Sequence, residues 1–526
     1  MSLRRKAAIT AAFGYLQFGI SIVTGLFLVP LTLHSIGART WGVWLASGEV
    51  LAYAGMADLG MLAVMQWLIA EAEGRKDRRE MANLVSQGIW LGTAVGIVFV
   101  SLAFVLWRSL PSVLFLTAAD RAVIERPLLL AVVLTASSYP LLSYRALLIG
   151  IQDASFLGTM SVINATISAA VLAGMLLGGW GLYALVWSSI GTSLIVGAVL
   201  GIRAAMIAPD VVYRIAPPQT RYLRTLLTNG VGAWLGNIGW QTLAATNSVL
   251  ITYIGHPEWV PVYACTAKVA NMAMPLTWIL PDAGHVSLAQ LHGEGSSQPR
   301  VRDVINLMQR LHLVLAGLVA VGLLGFNGVF VTHWVGAPFF GGIPLNAVVA
   351  LGVIVHSFTH GFVTSSSIAG SRPRVGALVL INGAVQLPLG IVLGHRMGLI
   401  GIPVAGLVAA ALTSLPGSIA LLRHAVGYRP STLLPSMIGP WISRALAPLA
   451  AALFIGAAYP LLGIWICAAA TVAACLAYVW LMRPLYGEGL PLEANWMRWL
   501  RLIRLLPESP IVPPAIDAVD NLRAPL

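Results

Sequence analysis

The amino-acid sequence predicts an all-α, polytopic membrane protein of about fourteen transmembrane helices. Of its 526 residues, 58% are hydrophobic and only 10% are charged, whereas soluble domains carry roughly 25% charged residues. A helix needs about 20 apolar residues to cross the hydrocarbon core, and the apolar runs of this chain are of that length. The ten-residue alternation of a membrane barrel is absent. Helices, which satisfy their own backbone polar groups in lipid, are therefore predicted.

Fourteen apolar runs are long enough to span a membrane. They lie near 8–33, 42–70, 84–106, 128–149, 158–178, 182–206, 228–254, 261–288, 308–332, 344–368, 376–394, 399–422, 444–461 and 463–482. Arg4, Arg5 and Lys6 precede the first run, as in a signal peptide. That run is too long and lacks a small-x-small cleavage site, so it is predicted to be the first span.

The basic composition follows from a topology with both termini in the cytoplasm. In this topology 24 of the 31 Lys and Arg residues lie in inside segments and five lie outside, while Arg145 and Lys268 fall within spans. This is the positive-inside pattern of membrane proteins. The net charge of +12 therefore needs no nucleic-acid partner.

An internal repeat divides the chain. Ile36-Gly37, followed by Trp41, recurs 218 residues later as Ile254-Gly255, followed by Trp259, and Ile163-Asn164 recurs as Ile381-Asn382. The first and seventh spans both end at an Ile-Gly pair and run in the same direction. We therefore expect two parallel six-helix lobes, with a substrate pathway where they meet.

The repeat and the charge pattern give the predicted organisation. It consists of an N lobe at 1–210, a cytoplasmic linker at 211–227, a C lobe at 228–425, two extra helices at 444–482, and a cytoplasmic tail at 484–526. Within the tail, residues 493–506 alternate apolar and basic side chains. That pattern predicts an amphipathic helix lying on the anionic cytoplasmic leaflet.

Four stretches carry a family resemblance over roughly residues 5–425. They are Leu31 to Gly42, Gly55 to Gly60, Arg145 to Gln152, and Gly398 to Ala405. On these the chain resembles the polysaccharide-transporter branch of the multidrug/oligosaccharidyl-lipid/polysaccharide (MOP) exporter superfamily, the Wzx-type flippases. The resemblance implies a MATE-like fold in the bacterial inner membrane. It also implies alternating-access flipping of undecaprenyl-diphosphate-linked oligosaccharide from the cytoplasmic to the periplasmic leaflet, for surface or exopolysaccharide synthesis.

Two alternative functions stay open: an ion-coupled small-molecule exporter of the MATE type, and a lipid II flippase. Many members of the Wzx-type branch have twelve helices, and the lipid II flippases have fourteen. The latter carry arginines in the first helix, where this chain has none between Lys6 and Arg39. The chain has no Gly-Lys dipeptide, so it lacks a P-loop. We expect no enzyme activity and no cofactor; coupling to H⁺ or Na⁺ and a polymerase partner are left open.

Charged groups within spans are candidates for function because each costs about 2.5–3.5 kcal/mol to insert. Glu49 and Lys268 lie eight and nine residues past the repeated tryptophans Trp41 and Trp259. We hypothesise that they face one another across the cleft as a latch. The alternative is that each finds a partner within its own lobe.

A diphosphate head group needs cationic partners in a low-dielectric path. Lys268 is the stronger candidate to bind it. Arg145 is a second candidate at the inner mouth, although it lies close enough to the membrane surface to extend its guanidinium into the headgroups instead.

Five further residues are candidates for ion coupling or for the cavity wall. Asp58, at the family's Asp-x-Gly position, would bind a coupling ion or brace the N lobe. Asp282 with His285 would form a proton relay or face cytoplasmic water. His360, spaced four residues from His356, has no evident third metal ligand, so a polar wall is predicted there and no metal site.

Polar residues of the seventh and eighth spans suit sugar contacts through hydrogen bonds and ring stacking. The candidates are Asn237, Trp240, Gln241 and Asn271. Alternatively, these side chains hold helices together, since a hydrogen bond between helices in a membrane stabilises their packing by about 0.6 kcal/mol. Pro275 and Pro281 predict a kink in the eighth span.

Overall fold

The structure is a computed structural model that describes residues 3–54, 61–113, 116–222, 224–226, 228, 246–279, 281–282, 288, 298–370, 372–432 and 434–486. Within these ranges every regular element is a helix, and there is no strand. The predicted all-α class is therefore confirmed. The tail segment 493–506 lies outside the described residues.

The first half of the chain, residues 3–212, contains ten described α-helices. They are α1 Leu3–Ile36, α2 Ala38–Ala54, α3 Met61–Gly74, α4 Arg78–Val113, α5 Ala118–Ser138, α6 Leu142–Gly150, α7 Ala154–Leu177, α8 Leu182–Val186, α9 Thr192–Ile207 and α10 Pro209–Val212. A π-helical turn, Trp187–Gly191, joins α8 to α9.

The second half, residues 246–426, and the C-terminal segment, residues 434–486, continue the series. They contain α11 Asn247–Tyr253, α12 Trp259–Thr266, α13 Lys268–Ala273, α14 Gln298–Trp334, α15 Gly342–Ala369, α16 Arg372–Met397, α17 Gly401–Leu412, α18 Ser414–Val426, α19 Gly439–Ala457, α20 Tyr459–Leu481 and α21 Arg483–Tyr486.

Eight of the described helical segments are long and apolar enough to cross a membrane. Counting each of two bent helix pairs as one span raises the number to ten. One of the eight, Pro373–Val426, holds α16, α17 and α18. The polytopic architecture is therefore confirmed, whereas the count of fourteen stays a prediction because several predicted spans include residues outside the described ranges.

The repeat predicted at 218 residues is visible in the backbone. Gly37 ends α1 with φ +85°, and Gly255 follows α11 with φ +96°. Such left-handed values favour glycine because a side chain would be strained there. The offset also carries α7, Ala154–Leu177, onto 372–395, and α16 spans Arg372–Met397.

Each half has its own apolar core. In the first half, residues such as Met65, Ile69 and Leu147 are fully buried between α3, α4 and α6. The last two long helices pack on α14. Trp441 of α19 donates its indole N–H to Tyr478 Oη of α20 (2.9 Å), and Tyr478 donates to the carbonyl of Val314 (3.0 Å).

The segment after α10 lies along α4. Gln87 donates to the carbonyl of Pro217 and accepts from the N–H of Gln219, both at 2.8 Å. Tyr222 donates to the carboxylate of Glu80 (2.5 Å). The predicted linker is therefore fixed to the first half by side-chain hydrogen bonds.

The Gly37 face is the end of the bundle that holds Gly37, Asp120 and Glu258. Elsewhere in the first half, Arg203 forms an ion pair with Asp153 (3.1 Å).

Candidate functional site

At the Gly37 face, Arg39 joins the two halves of the chain. Its guanidinium binds both carboxylate oxygens of Asp120 on α5, at 2.8 and 3.0 Å. It also lies 3.6 Å from Glu258, which directly precedes α12 of the second half. The hydrogen bonds from Arg39 lower the pKa of Asp120 to about 2. This cluster thus forms a charged contact across the halves, beyond the apolar spans.

Below this ion pair, α2 packs closely against the second half. The backbone at Gly42 approaches the carbonyl of Pro257 so closely that an added methyl group would overlap it. Leu33 and Trp41 share a buried apolar cluster with Cys265 and Val331. The halves are therefore in direct apolar contact near the Gly37 face.

Glu49 of α2 reaches the second half. Its Oε2 atom accepts the backbone N–H of Val249 at 3.1 Å. Val249 is in the first turn of α11, which begins at Asn247, and a helix N-terminus favours a carboxylate through its free N–H groups and its dipole. Glu49 thus faces the opposite half, as hypothesised, but its partner is a helix terminus.

Lys268 lies at the start of α13 and contacts α1. A methyl group placed on Gly25 would lie 3.5 Å from Lys268 Nζ. None of the described carboxylates lies within 4.0 Å of this ammonium. The latch between Glu49 and Lys268 is therefore not formed in this conformation. The helix is interrupted at Ala267, between α12 and α13. This interruption changes the helical register between Trp259 and Lys268, on which the predicted pairing depended.

A cavity of about 790 Å³ lies within the second half, bounded by residues of α11 to α13 and α15 to α18. Its polar lining side chains are Asn247, Tyr263, Asn271, Trp278, His356, Thr359, His360, Thr364, Ser367, Asn382, Gln386 and Ser414. The predicted candidate Asn271 is among them, and so are both members of the predicted histidine wall. Apolar side chains form much of the remaining wall, as is typical of ligand cavities.

Several polar groups of the cavity are fixed by one another. Asn382, on the repeated Ile-Asn pair, donates to Ser414 Oγ (2.9 Å). Asn247 donates to Tyr263 Oη (2.9 Å). Such bonds hold the side chains in defined orientations, which is what selective binding of a polar ligand requires.

Asp282 lies beside two histidines near the cavity. Its carboxylate is 3.1 Å from His360 Nε2 and 3.8 Å from His312 Nε2. His360 also stacks on Trp278, with ring centroids 4.2 Å apart. No sequence pattern pointed to His312, because it is on α14, 30 and 48 positions away from its two partners. The predicted interruption of the eighth span is present, since α13 ends at Ala273 and a turn occupies Met274 and Pro275.

The remaining predicted site residues are placed elsewhere or are not described. Arg145 is exposed on α6 of the first half and does not line the cavity. Five predicted residues, Asp58, Asn237, Trp240, Gln241 and His285, lie outside the described residues.

Comparisons with known proteins place this fold. No protein-family model matches the chain, and no curated protein matches it. Among solved structures, it is similar to the lipid II flippase MurJ in an inward closed conformation, with a TM-score of 0.66, 14% identity, and coverage of 94% of this chain and 100% of that one.

Multidrug resistance MATE family transporters of the MOP superfamily are also similar. An inward-facing structure aligns with a TM-score of 0.58, 12% identity, and coverage of 77% of this chain and 94% of that one. An outward-facing structure aligns with a TM-score of 0.54 and 14% identity, and the alignment covers 79% of this chain and 96% of that one. The chain therefore has the fold of the membrane transporters and flippases of the MOP superfamily.

Proposed function

We propose that this protein flips undecaprenyl-diphosphate-linked oligosaccharide units from the cytoplasmic to the periplasmic leaflet by alternating access. The substrate would serve surface or exopolysaccharide synthesis, and a polymerase would consume it at the outer leaflet. The fold of the MOP-superfamily transporters supports movement of a molecule across the membrane. The choice of a lipid-linked oligosaccharide rests on the arguments that follow.

Lys268 is the observation that carries this proposal. Its ammonium lies where the two halves meet, against Gly25 of α1, and within the described ranges no carboxylate neutralises it. A cation in this low-dielectric setting is costly unless a ligand supplies the opposite charge. A diphosphate has this charge and several strong acceptor oxygens, whereas a cationic drug would be repelled.

The length of the fold gives a second support. The MurJ structure covers 94% of this chain, and the two MATE structures cover 77% and 79%. Helices α19 and α20 follow the repeated unit and pack on α14. The tail of a lipid-linked substrate stays in the bilayer during transport, and additional helices can contact it there. A small soluble drug has no such tail.

The conformation fits one step of alternating access. With the N terminus in the cytoplasm, the Gly37 face is periplasmic. The contacts of Arg39, Gly42 and Glu49 with the second half then close the path on the periplasmic side. Loading would occur from the cytoplasmic side, and release would require these contacts to part, driven by an H⁺ or Na⁺ gradient or by downstream consumption.

The test is a deletion strain of the source bacterium, complemented by the wild-type chain, by Lys268→Gln or by Lys268→Arg. We expect deletion and Lys268→Gln to trap lipid-linked oligosaccharide in the cytoplasmic leaflet, where a glycosidase added to inside-out vesicles reaches it. Lys268→Arg should restore most of the flux, because it keeps the charge.

The alternatives predict different outcomes. Normal surface polysaccharide with drug hypersensitivity would support a MATE-like exporter, and accumulation of lipid II would support a lipid II flippase. Either result would reject the proposed substrate.

A further inference from the structure

The cluster of Asp282, His312 and His360 combines the donor atoms that transition metals prefer. One ligand atom of each residue lies within 4.8 Å of those of the other two. Ligands of a tetrahedral Zn²⁺ lie about 3.3 Å apart, given metal–ligand distances of about 2.0–2.1 Å. The Oδ1 atom of Asp282 lies 3.3 Å from His360 Nε2 and 3.8 Å from His312 Nε2, so one separation equals that value and the other exceeds it by about 0.5 Å.

The orientation of His312 fits a metal ligand. Its Nδ1 is 2.9 Å from the carbonyl oxygen of Met308. Because a carbonyl oxygen can only accept, Nδ1 carries a proton and donates it there, which leaves Nε2 as the ring nitrogen that faces Asp282. Metal-bound histidines commonly donate their other N–H to a backbone carbonyl in this way.

The surroundings of the cluster are polar and buried. His312 is fully buried, and Gly361 allows α15 to approach it, since an added Cβ there would lie 2.8 Å from its Nδ1. Gln309, one turn earlier on α14, is also fully buried, and within the described ranges its side-chain amide has no hydrogen-bond partner. A metal-bound water would provide that partner, because buried polar groups are rarely left unsatisfied.

We propose that Asp282, His312 and His360 form a binding site for a divalent transition-metal ion of the Zn²⁺ class. Imidazole nitrogens favour Zn²⁺, Cu²⁺ and Ni²⁺ over Na⁺, Mg²⁺ or Ca²⁺, which prefer oxygen ligands. The ion would join Asp282, which follows the turn at Pro275, to His312 of α14 and His360 of α15. The site would thus stabilise one arrangement of the second half, and it does not depend on the identity of the transported substrate.

The test is metal binding by the full chain, purified in detergent without a polyhistidine tag. Co²⁺ serves as a visible-light probe for a Zn²⁺ site, and Zn²⁺ is titrated by calorimetry. We expect one saturable site, with binding weakened at least about tenfold by His312→Ala, His360→Ala or Asp282→Asn. If an alanine variant is not monodisperse, His312→Gln takes its place, and the increase in melting temperature on adding Zn²⁺ is a second measurement.

His333→Ala is the matched control. His333 is on the same helix and makes the same hydrogen bond to the carbonyl four residues earlier, from Nδ1 to Val329 at 2.8 Å. The His333→Ala variant should bind metal as tightly as the parent chain does. Absence of saturable binding by the parent chain, or unchanged binding in both His312 and His360 variants, would overturn the proposal.

Discussion

Glu49 of α2 accepts the backbone N–H of Val249 in α11 at 3.1 Å, two hundred positions away in the chain. The bond joins the first half to the first turn of a helix in the second half. A side-chain carboxylate can leave a helix terminus without breaking the helix itself. This contact can therefore form and break as the halves move, which is what a gate requires.

Removing the carboxylate should weaken the contact at the Gly37 face. We expect Glu49→Ala to reduce the free energy that favours the closed arrangement by about 1–2 kcal/mol. This loss shifts the ratio of closed to open molecules about 5- to 30-fold. Glu49→Gln keeps an acceptor oxygen and should have a smaller effect. The measurement is the distance between spin labels at positions 180 and 397, both exposed, in a chain whose three cysteines are replaced.

Glu125→Ala is the control for this experiment. Glu125 is exposed on α5, and no ion pair to it is found in the described part of the chain. A Glu49→Ala distribution identical to that of the control would show that the bond to Val249 does not hold the halves together.

The close approach at Gly42 makes a separate prediction. A methyl group there overlaps the backbone carbonyl of Pro257, which cannot move aside as a flexible side chain would. We expect Gly42→Ala to destabilise the closed arrangement by about 1–3 kcal/mol, seen as a lower melting temperature and a larger distance between the same labels.

Gly48 is the matched control, because it is on the same helix and an added Cβ there has nothing within 4 Å. Gly48→Ala should leave the melting temperature unchanged or raise it slightly, since alanine favours a helix. Equal effects of the two substitutions would contradict the close contact of α2 with Pro257.

The sequence predicted the fold more fully than the site. Hydropathy and the repeat of Ile36-Gly37 as Ile254-Gly255 were sufficient for the helices and for the equivalent turns, because both depend on local sequence. The pairing of Glu49 with Lys268 could not be settled in this way. A helix rotates by about 100° per residue, so an offset of one residue, or the break at Ala267, redirects the side chain.

The triad of Asp282, His312 and His360 shows the same limit. Asp282 and His360 were each noted as polar groups within spans. His312 was not, because its proximity depends on how α14 packs on α15. Gly361 allows that packing, and a single sequence does not reveal which glycine faces a neighbouring helix.

The segment after α10 should be released when its hydrogen bonds to α4 are broken. In Gln87→Glu, a carboxylate oxygen replaces the donor that faces the carbonyl of Pro217, and two acceptors repel. We expect faster trypsin cleavage after Arg214 and Arg221, which are exposed. Thr93→Ala is the control, because Thr93 bonds only within its own helix, to Ile89. Unchanged cleavage in Gln87→Glu would show that other contacts hold the segment.

The ion pair of Arg39 with Asp120 should stabilise the protein only above acidic pH. Hydrogen bonds from Arg39 lower the pKa of Asp120 to about 2, whereas an unfolded aspartate has a pKa of about 3.9. A lowered pKa means that the stabilisation is fully present above about pH 4 and is lost as the pH falls toward 2. Asp120→Asn should therefore lower the melting temperature by a constant amount between about pH 5 and 8. The difference should shrink as the pH falls below 4, and Glu125→Gln, the control, should show no difference at any pH. A deficit that instead changes between pH 5 and 8 would mean that a group other than Asp120 sets the pH dependence.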